Sequence, residues 1–395
     1  MTDGTVNCWG RDYMTASNMT TPAPVAGVEG ASSVSSGIRY NCALQTLGTI
    51  VCWGDDGYGQ LGDGTTNDSI QPVQVVGITD AVAVSTGGFH ACALRSTGRV
   101  MCWGRNLNGA LGNGTRTDSL VPVAVAGITN AVAISAGLAE DETCAVLSTG
   151  RIDCWGSGAY GQLGNGTHVS SSTPVQVSGI TNAVAVAAGG QDVCAVLATG
   201  SIDCWGHNQV GQLGNGTTRN SSVPVSVKPL PGPAKAIAVA GRAYTCTALK
   251  SGSVYCWGAN KKDQLGNGHQ PHGSLVPVQA VGITNAVSIS TGPGHACALL
   301  STGTADCWGY DDYGQLGNGP GGGKFRTPNP VIFAPRGSGP GAEGPRAASP
   351  SAGPGQCRKG HASRRQQRLA RHANYSKVKR SCPGISGSTE TSEPV

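Results

Sequence analysis

The sequence predicts an all-β propeller, and two observations carry that expectation. The tripeptide Cys-Trp-Gly occurs seven times, starting at Cys8, Cys52, Cys102, Cys154, Cys204, Cys256 and Cys307, at intervals of 44, 50, 52, 50, 52 and 51 residues. Each interval carries short apolar runs rich in Val, Ala and Thr, punctuated by Gly, Asn and Asp, with no helical period. Four antiparallel strands in about 50 residues is the size of one propeller blade, whereas solenoid repeats of that length are helical. Composition agrees: 62 of 395 residues are Gly, and only 12% are charged and 5% aromatic.

Residues 72–104 justify the four strands in turn. The runs are Pro72–Val76, Ala81–Ser85, Ala91–Leu94 and Arg99–Trp103, followed by a loop from Arg105 to Ser119 whose Asn113-Gly114 step favours a tight turn. Between the last two strands, Leu147-Ser-Thr-Gly-Arg151 fits a three-residue type I turn with a glycine bulge. That turn sets Leu147 opposite Arg151 and therefore Cys144 opposite Cys154, at a non-hydrogen-bonded site where Cβ atoms are close.

The same ten-residue spacing recurs in Cys42/Cys52, Cys92/Cys102, Cys194/Cys204, Cys246/Cys256 and Cys297/Cys307. Three readings of these pairs stay open: cross-strand disulfides in an oxidising compartment, buried thiols acting as small apolar groups, or zinc ligands without the usual Cys-x-x-Cys spacing. No cofactor is expected. The tryptophans Trp9, Trp53, Trp103, Trp155, Trp205, Trp257 and Trp308 are expected to pack between adjacent blades. Two residues before the first cysteine of each pair stand Tyr40, His90, Glu142, Asp192, Tyr244 and His295, either a polar ring near the channel or side chains bonding a nearby turn. Asn-x-Ser/Thr occurs at Asn18, Asn67, Asn113, Asn165, Asn215, Asn220 and Asn374, and turn geometry accounts for those in the repeat loop.

The leftovers are informative. A partner for Cys8 would precede Met1, so seven Cys-Trp-Gly strands and seven Pro-Val strands accompany only six inner pairs. The expectation is an incomplete gene product lacking one strand pair and anything upstream, a signal peptide included.

The unit Gly-x-x-His-x-Cys-Ala-Leu, Thr-Gly-x-Val-x-Cys-Trp-Gly, Gly-Gln-Leu-Gly-Asn-Gly-Thr resembles the regulator of chromosome condensation repeat, in His90–Thr115 and with variations in Gly189–Thr217 and His295–Gly319. The resemblance covers residues 1–333. It implies about seven blades, with Thr5–Trp9 and Pro330–Phe333 sharing a closing blade whose middle strands are missing. The first loop, Arg11–Thr21, lacks Gly-Gln-Leu-Gly. Family members include a GTPase exchange factor with a wedge-like insertion, a light receptor with a tryptophan patch, and secreted β-lactamase inhibitors. The spacings here leave no room for the wedge. Ile38, Gly88, Leu138, Gly190, Arg242 and Pro293 stand where the receptor's tryptophans follow the central glycine.

Charge divides the chain. Residues 1–333 carry 16 Lys/Arg and 19 Asp/Glu, a net of −3; residues 334–395 carry 11 and 3, a net of +8. The body lacks a basic footprint for nucleic acid, and only the Pro/Gly/Arg-rich tail, expected to be disordered, could supply one. No stretch is long and apolar enough for a membrane helix. Catalysis breaks the symmetry of a repeat, and no blade carries the Arg, Tyr and Glu cluster of a sialidase-like glycosidase, so no enzyme is expected. The expected function is binding another protein, as a monomer and outside the cell or at its surface, through loops carrying Tyr58, Leu107, Tyr160, Lys261, Lys262, Tyr310 and Tyr313. The alternatives are a cytoplasmic scaffold or exchange factor for a small GTPase and, last, the glycosidase.

Overall fold

The computed structural model describes residues 4–11, 18–139, 141–241, 243–269, 272–320 and 322–333; the expected tail lies outside them. Every element among these residues is a strand. β1 (Asn7–Arg11) and β2 (Asn18–Pro24) form a two-stranded half-blade. The first complete blade is β3 (Ala31–Ser36), β4 (Tyr40–Gln45), β5 (Ile50–Gly54) and β6 (Ser69–Gln74). The second is β7 (Ala81–Thr86), β8 (His90–Arg95), β9 (Val100–Gly104) and β10 (Ser119–Ala124). The third is β11 (Ala131–Ala136), β12 (Glu142–Leu147), β13 (Ile152–Gly156) and β14 (Ser171–Gln176). The fourth is β15 (Ala183–Ala188), β16 (Asp192–Leu197), β17 (Ile202–Gly206) and β18 (Ser221–Ser226). The fifth is β19 (Ala234–Ala240), β20 (Tyr244–Leu249), β21 (Val254–Gly258) and β22 (Ser274–Gln279). The sixth is β23 (Ala286–Thr291), β24 (His295–Leu300), β25 (Ala305–Tyr310) and β26 (Lys324–Pro330). The fold is an all-β propeller of six four-stranded antiparallel blades and one half-blade.

The tight turn has the expected form: Leu147 N donates to Arg151 O at 2.9 Å, Gly150 N donates to Leu147 O, and Gly150 has φ 78°. The ladder then runs Val146↔Ile152, Ala145↔Asp153, Cys144↔Cys154. The fourth strand differs from the sequence reading. It begins at Ser69, not Pro72, and ends at Gln74, because Ser69 pairs with Gly54 across a bulge while Val76 N turns away to Gly62 O. Pro72 sits on the blade's outer edge, where a missing N–H costs no ladder bond.

Blades join through one repeated contact. The indole N–H of Trp103 donates to Gln60 O at 3.0 Å, Trp155 to Ala110 O at 2.7 Å, Trp205 to Gln162 O at 2.8 Å, Trp257 to Gln212 O at 2.8 Å and Trp308 to Gln264 O at 2.9 Å. All five tryptophans are fully buried. The Gly-Leu-Gly spacing follows from this. Gly164 has φ 66°, and a Cβ there would stand 2.7 Å from Trp205 Nε1, so the loop carbonyl reaches the indole only with glycine in place. Leu61 N, Leu111 N, Leu213 N, Leu265 N and Leu316 N are each held by the side-chain oxygen of Asp56, Asn106, Asn208, Asn260 or Asp311 five residues earlier.

The ring closes through these same contacts, and here the sequence expectation is corrected. Thr5–Trp9 and Pro330–Phe333 do not share a blade: β1 takes β2 as its outer partner, and β26 stays with β25. Each Cys-Trp-Gly strand finds its outer strand within its own repeat, so no strand is left to exchange between the ends. Trp9 Nε1 donates to Gln315 O at 3.1 Å, joining the sixth blade to the half-blade. On the other side Ala31 N donates to Gly4 O at 3.0 Å, as Ala81 N does to Gly48 O between complete blades. Trp53 lies among Val6, Val28 and Ala43.

Candidate functional site

The cysteines occupy the blade interiors. In all six pairs the sulfurs stand at bonding distance across neighbouring strands, with Cα–Cα 4.1 Å for Cys92–Cys102 and likewise for Cys42–Cys52, Cys144–Cys154, Cys246–Cys256 and Cys297–Cys307, and 4.0 Å for Cys194–Cys204. Among the described residues Cys8 is the free cysteine.

At the polar position before each pair, the two tyrosines link blades by bonding the neighbouring blade's turn. Tyr40 OH donates to Gly87 O at 3.2 Å and also contacts His90 O; Tyr244 OH repeats this with Gly292 O, at 3.1 Å, and His295 O. His90 Nε2 bonds Thr143 Oγ1 at 2.9 Å in the next blade. Burial pushes His90 down to about 4, with Arg105 adding to the shift. Its 4.0 Å approach to Asp141 is therefore not an ion pair at neutral pH. Burial likewise pushes His295 down to about 4.

Asp192 is the costly member of the set. It is fully buried, and neither carboxylate oxygen has a hydrogen-bond partner among the described residues. Burial, reinforced by the charge of Glu142 in the neighbouring blade, raises its pKa well above the carboxylate range. The folded state then binds more protons than the unfolded chain, so stability falls as pH rises past the ordinary carboxylate pKa. Asp192→Asn should be more stable than the wild type at about pH 8 by about 1–3 kcal/mol, with the difference shrinking toward about pH 4. Urea unfolding midpoints across pH check this; parallel profiles for the two proteins would contradict it.

The loop face holds the predicted contact residues, and the ring brings most of them into pairs across blade joints. Arg105 stacks over Tyr58, 5.4 Å from the ring centroid, and over Phe89 at 5.6 Å, while its guanidinium reaches Asp141 at 3.8 Å. Tyr160 meets His207 edge-on at 5.1 Å. Lys262 Nζ lies 3.7 Å from the Tyr310 centroid, and Arg11 stands over Tyr313 at 4.8 Å. One partner stands two residues before Gln-Leu-Gly in a loop, and the other is the residue after Cys-Trp-Gly in the next repeat around the ring. The sequence signal was this complementarity between successive repeats, with cation and aromatic exchanged at Lys262/Tyr310. Lys261 is exposed, and its carbonyl accepts from Lys324 Nζ at 2.9 Å.

Leu107 stands apart, 57% exposed. It lines a shallow depression of about 520 Å³ with Tyr58, Arg105, Arg116, Thr117 and Asp118. Asp118 fixes the rim by accepting from Asn106 N at 2.7 Å. The depression's lining thus combines an apolar and an aromatic side chain with two arginines and one carboxylate. The sequence reading did not single out Arg105, Arg116 and Asp118, because each, taken alone, reads as a solvated loop charge.

Comparison with known proteins places this geometry. A model of the RCC1-like domain matches residues 76–353, and the regulator of chromosome condensation (RCC1) repeat matches residues 48–94. The chain is 28% identical over 185 residues to the ultraviolet-B receptor UVR8 of Arabidopsis thaliana, covering 45% of this chain and 42% of the receptor. It is 28% identical over 188 residues to the human E3 ubiquitin-protein ligase HERC2, covering 46% of this chain and 4% of the ligase. It therefore spans less than half the length of these two relatives. Yeast RCC1 (Prp20), solved bound to Kap60, superposes with a TM-score of 0.75 at 19% identity over 85% of each chain. Human WBSCR16 superposes with 0.72 at 23% identity over 80% of this chain and 85% of its own. At those identities the structural likeness is one of fold. With the domain model matched over most of its length, the chain belongs to the RCC1-like domain family.

Proposed function

We propose that this propeller is a non-catalytic binding platform that recruits another protein through its loop face. The observation that carries the reading is the exposed Leu107, which lines with Tyr58 and Arg116 a depression held by stacked and hydrogen-bonded side chains. Aromatic residues and Arg on a fixed frame lose little freedom on binding and are the residue types enriched at binding hot spots. Related propellers bind proteins: Prp20 was solved with Kap60, and its binding to Gsp1p and histones has been described.

The six cysteine pairs, read as disulfides, favour an oxidising, extracellular or cell-surface setting. Among the described residues no helix is long and apolar enough to cross a membrane.

Affinity capture with quantitation of each bound protein tests the reading. Leu107→Asp should reduce capture of the partner about tenfold or more, the loss of one hot-spot side chain. Leu47→Asp, at an 85% exposed site in a hairpin turn of the opposite face, should leave capture unchanged. Equal capture by Leu107→Asp and wild type would remove this face from the account. Accelerated nucleotide release from a captured GTPase would establish the exchange-factor alternative instead.

A further inference from the structure

The side chain that holds the leucine amide in the loops of the binding face is not of one kind. It is Asn106, Asn208 and Asn260 in three blades, and Asp56 and Asp311 in two others. An amide and an ionised carboxyl of the same shape can both accept from the leucine N–H, but only the amide can also donate.

Two of the asparagines show where that donor goes. Asn106 Nδ2 donates to Thr115 O at 3.2 Å and Thr117 O at 3.0 Å, and Asn208 Nδ2 donates to Thr217 O and Arg219 O, both at 3.0 Å. The same Nδ2 atoms lie 3.4 Å from Asn113 Oδ1 and Asn215 Oδ1. These neighbours are all acceptors, and they close the loop around the side chain.

The first blade builds the same loop around a carboxyl. Asp56 N donates to Asp68 Oδ1 at 2.7 Å, as Asn106 N does to Asp118 Oδ1. Thr65 N donates to Asp63 Oδ1 at 2.9 Å, as Thr115 N does to Asn113 Oδ1 at 3.0 Å. The residues at the caging positions are therefore Asp63, Thr65 and Asn67, and Asp56 Oδ2 takes the place of the donor. Asp56 is fully buried, and Thr65 Oγ1, 3.5 Å from Oδ2, offers only a weak bond. In the sixth blade Asp311 is also fully buried, and its Oδ2 has no hydrogen-bond partner among the described residues. An acceptor among acceptors is unfavourable unless a proton lies between them.

We infer that Asp56 and Asp311 are proton-operated latches: each closes its loop as the neutral acid, with Oδ2–H donating where Asn106 and Asn208 use Nδ2–H, and each loosens it on ionisation. The surrounding charges act in the same direction. Burial holds Asp56 up at about 6, with the Leu61 amide opposing and the charges of Asp63 and Asp68 adding to the rise. Asp55 is paired with Arg39, 3.7 Å away in the turn before β4, and Arg105 of the second blade lies over the Tyr58 ring. Burial also raises Asp311, with the Leu316 amide opposing and Asp312 adding; Asp312 in turn faces Lys262 and Lys324. A carboxyl raised in the closed loop favours closure at low pH, and that contribution is lost as pH climbs from the ordinary carboxylate value through about 6. Tyr58 lies in the first of these loops, so the latch sets how firmly the face holds it. The inference does not require that face to bind a partner, and its test reads the loop alone.

Amide hydrogen exchange of the full-length protein at Leu61 and Leu111, corrected for the intrinsic effect of pH, makes that test. Protection at Leu61 should fall about tenfold or more between about pH 4.5 and about pH 8, since each unit of pKa shift is a factor of about ten in the opening equilibrium. Protection at Leu111, held by the non-titrating Asn106, should stay level. Asp56→Asn copies the arrangement of the second blade and should make the Leu61 profile level too. Asn106→Asp should transfer the pH dependence to Leu111. Parallel profiles at Leu61 and Leu111 in the wild type, or an undiminished slope at Leu61 in Asp56→Asn, would overturn the inference. Calcium chloride restoring Leu61 protection at about pH 8 in the wild type but not in Asp56→Asn would overturn it as well, because the cage would then hold a metal cation in place of the proton.

Discussion

Replacing Trp205 with Ala is expected to destabilise the propeller by about 3–5 kcal/mol, the cost of emptying a buried aromatic site. Trp205 is fully covered by Leu163, Val177 and Ile180 of the third blade's packing layer, and its indole N–H is bonded to Gln162 O. Truncation therefore removes apolar contact and leaves that buried carbonyl without its donor. The joint between the third and fourth blades is the one affected, and in a ring of nearest-neighbour contacts its loss propagates to both sides. Trp205→Phe keeps most of the ring and drops the donor, so it should fall between Ala and wild type. Chemical denaturation midpoints measure the series; a midpoint for Trp205→Ala equal to wild type would show that the indoles do not join the blades.

Reduction of the cysteine pairs is expected to have the second large effect. A cross-link closing a sequence separation of 10 residues contributes about 2–3 kcal/mol by restricting the unfolded chain. The Cys144→Ala/Cys154→Ala double variant should lose about that much. Treating the wild type with reductant should lower its unfolding temperature further, by less than six such contributions, because each short hairpin is already held by its turn. Unchanged melting in reductant would mean that the cysteines serve as small apolar side chains.

Much of this architecture was legible because its causes are local and repeated. A glycine third in Ser148-Thr149-Gly150 selects one turn, the turn selects one register, and the register sets Cys144 against Cys154. What depended on the ring was harder to read. The fourth strand's extent escaped because Val75 and Val76 are apolar and β-branched, yet Val76 is drawn off to hold Gly62. Closure escaped because sequence alone does not show that Gln315 meets Trp9 while β26 remains with β25. The stacked pairs Tyr58/Arg105 and Lys262/Tyr310 join residues from successive repeats, so a loop read by itself shows an exposed aromatic or a charge, never the contact. The candidate contact surface was therefore visible in its residue types at Tyr58 and Leu107, but not in its rim of Arg105, Arg116 and Asp118.

Six cross-strand cysteine pairs at bonding distance tie the second and third strands from the inside of the complete blades together. Intact mass after alkylation of the denatured protein, with and without prior reduction, measures this in one experiment. Of 15 cysteines, the six pairs take 12, leaving Cys8, Cys357 and Cys382. At least 12 of the 15 alkyl groups, those of the paired thiols, should be added only after reduction. Fifteen alkyl groups in the unreduced sample would contradict it, moving the protein to a reducing compartment and the cysteines to a packing role.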